Sequence, residues 1–114
     1  MILTRRTTLG SSLAALATLP LGTSAKAQAW PTKPLTIVVP YAAGSATDTL
    51  ARLMAEQLTP RLGQQVIVDN KGGGNGTIAG GYVAHAPADG YTIMIATAAT
   101  HAGNPNLMKS VPYD

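Results

Sequence analysis

Leu35-Thr36-Ile37-Val38-Val39-Pro40-Tyr41-Ala42-Ala43-Gly44-Ser45-Ala46-Thr47-Asp48 decides the reading of this chain. Residues 35–39 are apolar or β-branched throughout and are flanked by Pro34 and Pro40, the pattern of a short buried strand. Pro40 cannot donate to a strand ladder and ends it. Residues 41–47 form a small-residue loop containing Gly44 and Ser45, and the sequence after them turns helical.

The helix is predicted over Thr47–Leu62. Leu50, Leu53, Met54, Leu58 and Leu62 fall at helical spacing and are expected on its buried face, with Arg52, Glu56 and Arg61 toward water. Ser45 or Thr47 can cap its first free N–H groups, and Asp48 in the first turn suits the helix dipole. Pro60 is expected to stop the regular helix near Thr59, and Gly63 is a natural terminator. Val66-Ile67-Val68 reads as a second strand, followed by a glycine-rich loop over 69–76. A second helix is expected over Thr77–His85, with Ile78, Tyr82 and Val83 on one side and Gly80 and Gly81 permitting close packing. Pro87-Ala88-Asp89-Gly90 is a turn signal. Tyr91–Ala96 is a third strand, 97–103 a loop, and Asn104–Met108 a helical turn. Strand, helix, strand, helix, strand implies right-handed crossovers and a mostly parallel α/β sheet flanked by helices.

Upstream, the sequence changes character. Arg5 and Arg6 precede an apolar stretch over 9–21, and small residues over 24–29 follow it. No acidic residue occurs before Asp48. The apolar stretch is short of the ~20 residues that a membrane-spanning helix needs. Basic start, short apolar middle and small-residue end are the three parts of an export signal, read here as residues 1–29. Cleavage is expected after Ala29, with Ala27 as the alternative. Thr4-Arg5-Arg6-Thr7-Thr8-Leu9 resembles a twin-arginine signal, and Lys26 disfavours the general secretory route, which stays the alternative.

The leader reassigns the net charge. The chain of 114 residues carries +3, and Arg5, Arg6 and Lys26 account for all of it. The remaining Lys33, Arg52, Arg61, Lys71 and Lys109 balance Asp48, Glu56, Asp69, Asp89 and Asp114. No basic patch remains for nucleic acid or an anionic membrane surface. Cysteine is absent, which suits an exported protein and leaves neither disulfide nor thiol chemistry. Residues 30–114 are long enough for one small domain, but with so modest a core they read more as one layer of something larger.

In a parallel sheet the ligand end lies where strands finish and helices begin. Three small-residue loops meet there, at 41–47, 72–76 and 97–103. Two of them lead directly into helices, where backbone N–H groups and the helix dipole favour an anion. Ser45, Thr47 and Thr77 can add hydroxyl donors to main-chain capture of a carboxylate; equally, the small residues serve tight turns. Lys71-Gly72-Gly73-Gly74-Asn75-Gly76-Thr77 is not a phosphate loop, because its lysine precedes the glycines. Ser45 lacks the second glycine of a nucleophile elbow. His85 is expected near a helix end and His101 in a ligand-end loop, and the scattered carboxylates form no metal cluster.

Taken in order, these segments resemble the periplasmic solute-binding proteins of tripartite tricarboxylate transporters, the Bug family. The resemblance rests on Trp30-Pro31-Thr32-Lys33-Pro34, Ile37–Tyr41, Ala43–Asp48, Leu62–Lys71, Gly72–Gly76, Ala86–Thr92, Thr100-His101, Asn104-Pro105 and Val111–Asp114. The family usually shows adjacent glycines where this chain has Gly44-Ser45. The resemblance implies a two-lobed periplasmic-binding-protein-like fold, of which residues 30–114 would be an incomplete N-terminal lobe. It also implies periplasmic capture of a small organic acid for membrane transporter subunits, without a cofactor and without catalysis. The first lobe's share of the cleft would comprise Tyr41, Ala43, Gly44, Ser45, Ala46, Thr47, Asp48, Asn75, Gly76, Thr77, Thr97, Ala98, Thr100 and His101. Carboxylate oxygens would meet backbone N–H groups and waters there more than charged side chains. Asp48 would stabilise the helix end or orient a water or ligand amine. The resemblance further implies that the second lobe is missing, so an interaction module or an inactive remnant is the competing reading. A small exported hydrolase using Ser45 and His101 is a third.

Overall fold

The computed structural model describes residues 29–113. The expected export signal, with Arg5, Arg6 and Ala27, lies outside the described residues; Ala29, at its far end, is described and exposed. The elements are β1 (Leu35–Val39), α1 (Ala46–Leu62), β2 (Val66–Asn70), a 3-10 turn (Gly74–Gly76), α2 (Thr77–Ala84), β3 (Thr92–Met94), a π-type turn (Ala99–Gly103) and α3 (Asn104–Leu107). The strands form a parallel sheet in the order β2-β1-β3. Leu35 pairs with Val66 and Val39 with Asn70, while Thr36 pairs with Thr92 and Val38 with Met94. The α/β class and parallel order follow the expectation from sequence.

Central β1 is buried on both faces, which is why its sequence is a continuous apolar run rather than an alternating one. Leu35, Ile37 and Val39 pack with Val66, Ala51 and Ala55 under α1, and Leu58, Leu62, Val68, Tyr91 and Ile95 extend this cluster. Val38 points to the other face and is fully buried. The third strand is shorter than the expected 91–96, although Thr36 N–H to Tyr91 O (2.7 Å) and Ile95 N–H to Val38 O (3.0 Å) continue its bonding.

Three helical expectations need correction. In α1 the buried side chains are Asp48, Ala51 and Ala55, whereas Leu50, Leu53 and Met54 are 51%, 57% and 41% exposed. The helix is turned so that its alanine row meets the sheet, and small residues there let the backbone approach closely. Asp48 fixes that rotation, because its Oδ1 accepts a bond from Asn70 Nδ2 at the end of β2 (3.0 Å). Residues three and seven positions on, Ala51 and Ala55, then share its face. The helix also continues through Pro60 to Leu62, with Gly63 left-handed at φ 67°. Pro60 and Glu56 are both exposed, so the one lost backbone bond faces water. Thr59 stitches this end down: its hydroxyl donates to Ala55 O (2.8 Å) and accepts from Val66 N–H (3.1 Å).

In α2 the buried residues are Ala79 and Gly80, while Ile78 and Tyr82 are exposed. The glycines set this orientation. A β-carbon on Gly80 would strike the Tyr113 ring, and one on Gly81 would lie 3.1 Å from Pro112. The C-terminal segment packs on the glycine face, where the sequence allowed close approach.

At the opposite edge of the sheet from the three loops, the lead-in segment is pinned beside β3. Thr32 N–H donates to the Tyr91 hydroxyl (2.8 Å), and Trp30 packs on Tyr91 with ring centroids 5.8 Å apart. Lys33 lies 4.4 Å from the same ring and 3.2 Å from Asp89.

Candidate functional site

All three strands run the same way, so the loops that follow them emerge at one edge. The first loop is built around the start of α1. Ser45 caps the helix, its Oγ accepting from Asp48 N–H at 3.1 Å. Asp48 reaches back in turn, its Oδ2 accepting from Gly44 N–H (2.8 Å) and Arg52 Nε (3.0 Å). This differs from a capping box by one residue, because the aspartate at the third helical position accepts from the residue before the N-cap rather than from Ser45 itself. The Gly44 N–H, followed by Arg52 and Asn70, lowers the Asp48 carboxyl to a pKa of about 2. The carboxylate therefore stays charged and its oxygens are committed to the protein. The N–H groups of Ala46 and Thr47 in the same first turn have no intrahelical acceptor. They are the main-chain donors that α1 offers at this edge.

The second loop takes an unusual path. Gly73, Gly74, Asn75 and Gly76 have φ of 120°, 55°, 54° and 85°, and Asn75 is the one non-glycine at positive φ among the described residues. Gly76 is buried against the third loop, where a β-carbon would collide with Thr100 and lie 3.2 Å from Pro40. The Thr77 hydroxyl donates to Gly74 O (2.8 Å), which closes the turn into α2.

The third loop corrects an expectation. It is helical, a π-type turn running into α3, rather than irregular. Thr97 and Thr100 exchange hydrogen bonds: Thr97 N–H donates to Thr100 Oγ1 (3.0 Å), Thr100 N–H to Thr97 Oγ1 (3.3 Å) and Thr100 Oγ1 to Thr97 O (3.0 Å). Two threonines three residues apart thus close the turn as a cap would. The His101 ring follows, with Nδ1 2.8 Å from Thr100 Oγ1 and its centroid 6.3 Å from that of Tyr113.

Side chains join the loops. The Tyr41 hydroxyl lies 3.4 Å from Thr97 Oγ1, and Tyr41 O accepts from Asn70 Nδ2 at 3.2 Å. Asn75 and Asn104 bond reciprocally, and Tyr113 completes the link to Thr100. Ala43, Gly44, Ala46, Asn75, Ala98 and His101 are exposed at this edge; Tyr41, Ser45, Thr47, Thr77 and Thr97 are half-buried. Asp48, Gly76 and Thr100 are buried. A separate cleft of about 140 Å³ between α2, β3 and the C-terminal segment shares only His101 with this group. Among the described residues no cluster of histidine or acidic side chains could hold a metal ion.

Residues 50–114 match the family described as the tripartite tricarboxylate transporter family receptor. The chain belongs to this receptor family. Its fold matches part of the solved structures it resembles. The chain is 46% identical to an R. palustris protein solved with adipate, covering 75% of this chain and 29% of that one at a TM-score of 0.72. It is 51% identical to the periplasmic binding protein BugD over 57% and 22% of the two chains, TM-score 0.55. It is 44% identical to MatC of Rhodopseudomonas palustris, solved with malate, over 56% and 22%, TM-score 0.54. The chain spans between 19% and 31% of the length of the curated relatives it matches. The receptor family is one of solute-binding proteins and not of enzymes.

Sequence reasoning singled out the loop residues of this receptor segment, buried Asp48, Gly76 and Thr100 among them, but not several side chains that hold the loops. Arg52, Asn70, Asn104 and Tyr113 went unassigned. Asn104 carried one usable signal, a polar residue in front of Pro105 inside a predicted helical turn.

Proposed function

We propose that this segment forms one wall of a periplasmic site for a small organic carboxylate, delivered to the membrane subunits of a tripartite tricarboxylate transporter. The observation that carries the reading is that neighbours 44–46% identical were solved with adipate and malate. The chemistry of the loops supports it. The N–H groups of Ala46 and Thr47 sit at the positive end of a 17-residue helix, where an anion gains from about 0.3 to 2 kcal/mol. Hydroxyls of Ser45, Thr47, Thr77 and Thr97, the Asn75 backbone and His101 line the same edge. Asp48 and Thr100 act from behind, shaping the loops rather than touching the ligand. Residues 1–29 serve as the export signal, and residues 30–114 as part of the N-terminal lobe.

Calorimetric titration of the full-length protein with adipate, malate and a tricarboxylate, beside a sugar and a nucleotide, tests the reading. Saturable heat with the carboxylates alone is expected. Binding confined to the sugar or the nucleotide overturns it.

A further inference from the structure

Asn104 sits at the start of α3 and is 1% exposed, so water cannot satisfy its amide. Both N–H donors and the oxygen of that amide are bonded within the protein. Oδ1 accepts from Asn75 Nδ2 at 2.7 Å, and Nδ2 donates to Asn75 O at 2.9 Å and to the Tyr113 hydroxyl at 3.0 Å. The Tyr113 proton goes on to Thr100 O at 2.7 Å. A single chain of short bonds therefore runs from the second loop, through α3 and the C-terminal segment, to the third loop. Its target is Asn75, the non-glycine residue held at φ 54°, ψ 35° at the tip of the second loop. Left-handed backbone is costly for an ordinary residue and persists where surroundings over-determine it. Asn104 supplies that determination, because it grips both the side chain and the carbonyl of the one residue.

The side-chain type is specific. Aspartate has no N–H for Asn75 O or for Tyr113, and glutamine is one methylene too long for a filled site. Leucine keeps the branching of the side chain, at a larger volume, and removes every bond. Asn104 and Tyr113 are not members of the hydrophobic cluster under α1.

We propose that Asn104 is a positioning residue of the carboxylate site, fixing the Asn75–Thr77 segment against the third loop, with Tyr113 holding Asn104 in turn. This rests on the carboxylate reading above. The test compares wild type, Asn104→Leu, Asn75→Ala, the double variant and Tyr113→Phe in the full-length protein, using adipate and malate as probes. Affinity is measured by calorimetry, association rate by stopped flow and ligand-free stability by thermal melting. Loss of a buried amide network is expected to weaken binding about tenfold or more in Asn104→Leu, chiefly through slower association. Asn75→Ala should lose a comparable factor alone and add little in the Asn104→Leu background, with the association rate falling far more than the ligand-free melting temperature, a split that a merely structural role would not produce. Tyr113→Phe should weaken binding in the same direction and carries the test if Asn104→Leu does not fold. Unchanged affinity in Tyr113→Phe and Asn104→Leu, or additive losses in the double variant, overturns the positioning role. Wild type that binds neither probe overturns the carboxylate reading itself.

Discussion

Asp48 holds three donors on two oxygens, and its charge is therefore coupled to the fold. Its carboxyl is lowered from 3.8 to about 2, first by the Gly44 N–H and then by Arg52 and Asn70. A group depressed in the folded state stabilises at pH above its unfolded value and ceases to do so as pH falls through its folded value. Thermal melts from pH 6 to pH 1.5 should therefore show stability falling from roughly pH 4 downward, and Asp48→Asn should flatten that part of the profile. An unchanged slope in the variant would assign the acid sensitivity elsewhere, Asp89 being the other depressed carboxyl. Gly76 makes a second residue-scale prediction. Its φ of 85° and its contact with Thr100 and Pro40 leave no room for a methyl group. Gly76→Ala should cost ~1–3 kcal/mol in denaturant unfolding. Sequence alone exposed part of this scale. Ser45, Thr47 and Asp48 were legible as helix-start residues because capping chemistry is local. Asn104 was not, because its partner Asn75 lies 29 positions away and no local pattern joins two asparagines at that separation.

At the scale of the element, β1 was legible and the rotation of α1 was not. A parallel strand covered on both faces has one sequence solution, an apolar run, and residues 35–39 supply it. In α1 the leucine stripe and the alanine row compete for the same sheet. The polar tether from Asp48 to Asn70 decides between them, and a hydrophobic periodicity contains no term for it. The consequence is measurable. Enlarging the true contact row by Ala55→Leu should destabilise by ~1–3 kcal/mol through overpacking, whereas Leu53→Lys on the exposed flank should change stability by no more than ~0.5 kcal/mol. The reverse order of effects would return the leucine stripe to the core. The third loop was misread for a related reason. Thr97 and Thr100 are ordinary loop residues by composition, and only their reciprocal bonds make the turn helical.

For the molecule as a whole, α1 and the outer strand β3 both leave large apolar side chains exposed. Leu50, Leu53, Met54 and Ile93 are each more than 40% exposed on the side of the sheet that α1 covers. Surfaces of this kind invite association. A preparation of residues 30–114 alone should therefore bind a hydrophobic dye and scatter light, and replacing Leu50, Leu53 and Ile93 by lysine should reduce both. Equal dye binding before and after would place the exposed surface elsewhere. The loop edge and the edge at which Trp30 meets Tyr91 are opposite ends of the same parallel sheet. Trp30 is the only tryptophan in the chain. Intrinsic emission from this segment is thus a reporter of how firmly the lead-in peptide docks on β3. It should shift when Tyr91 is replaced and stay silent to events at the loops, so a ligand titration followed at this fluorophore would register nothing while the site fills.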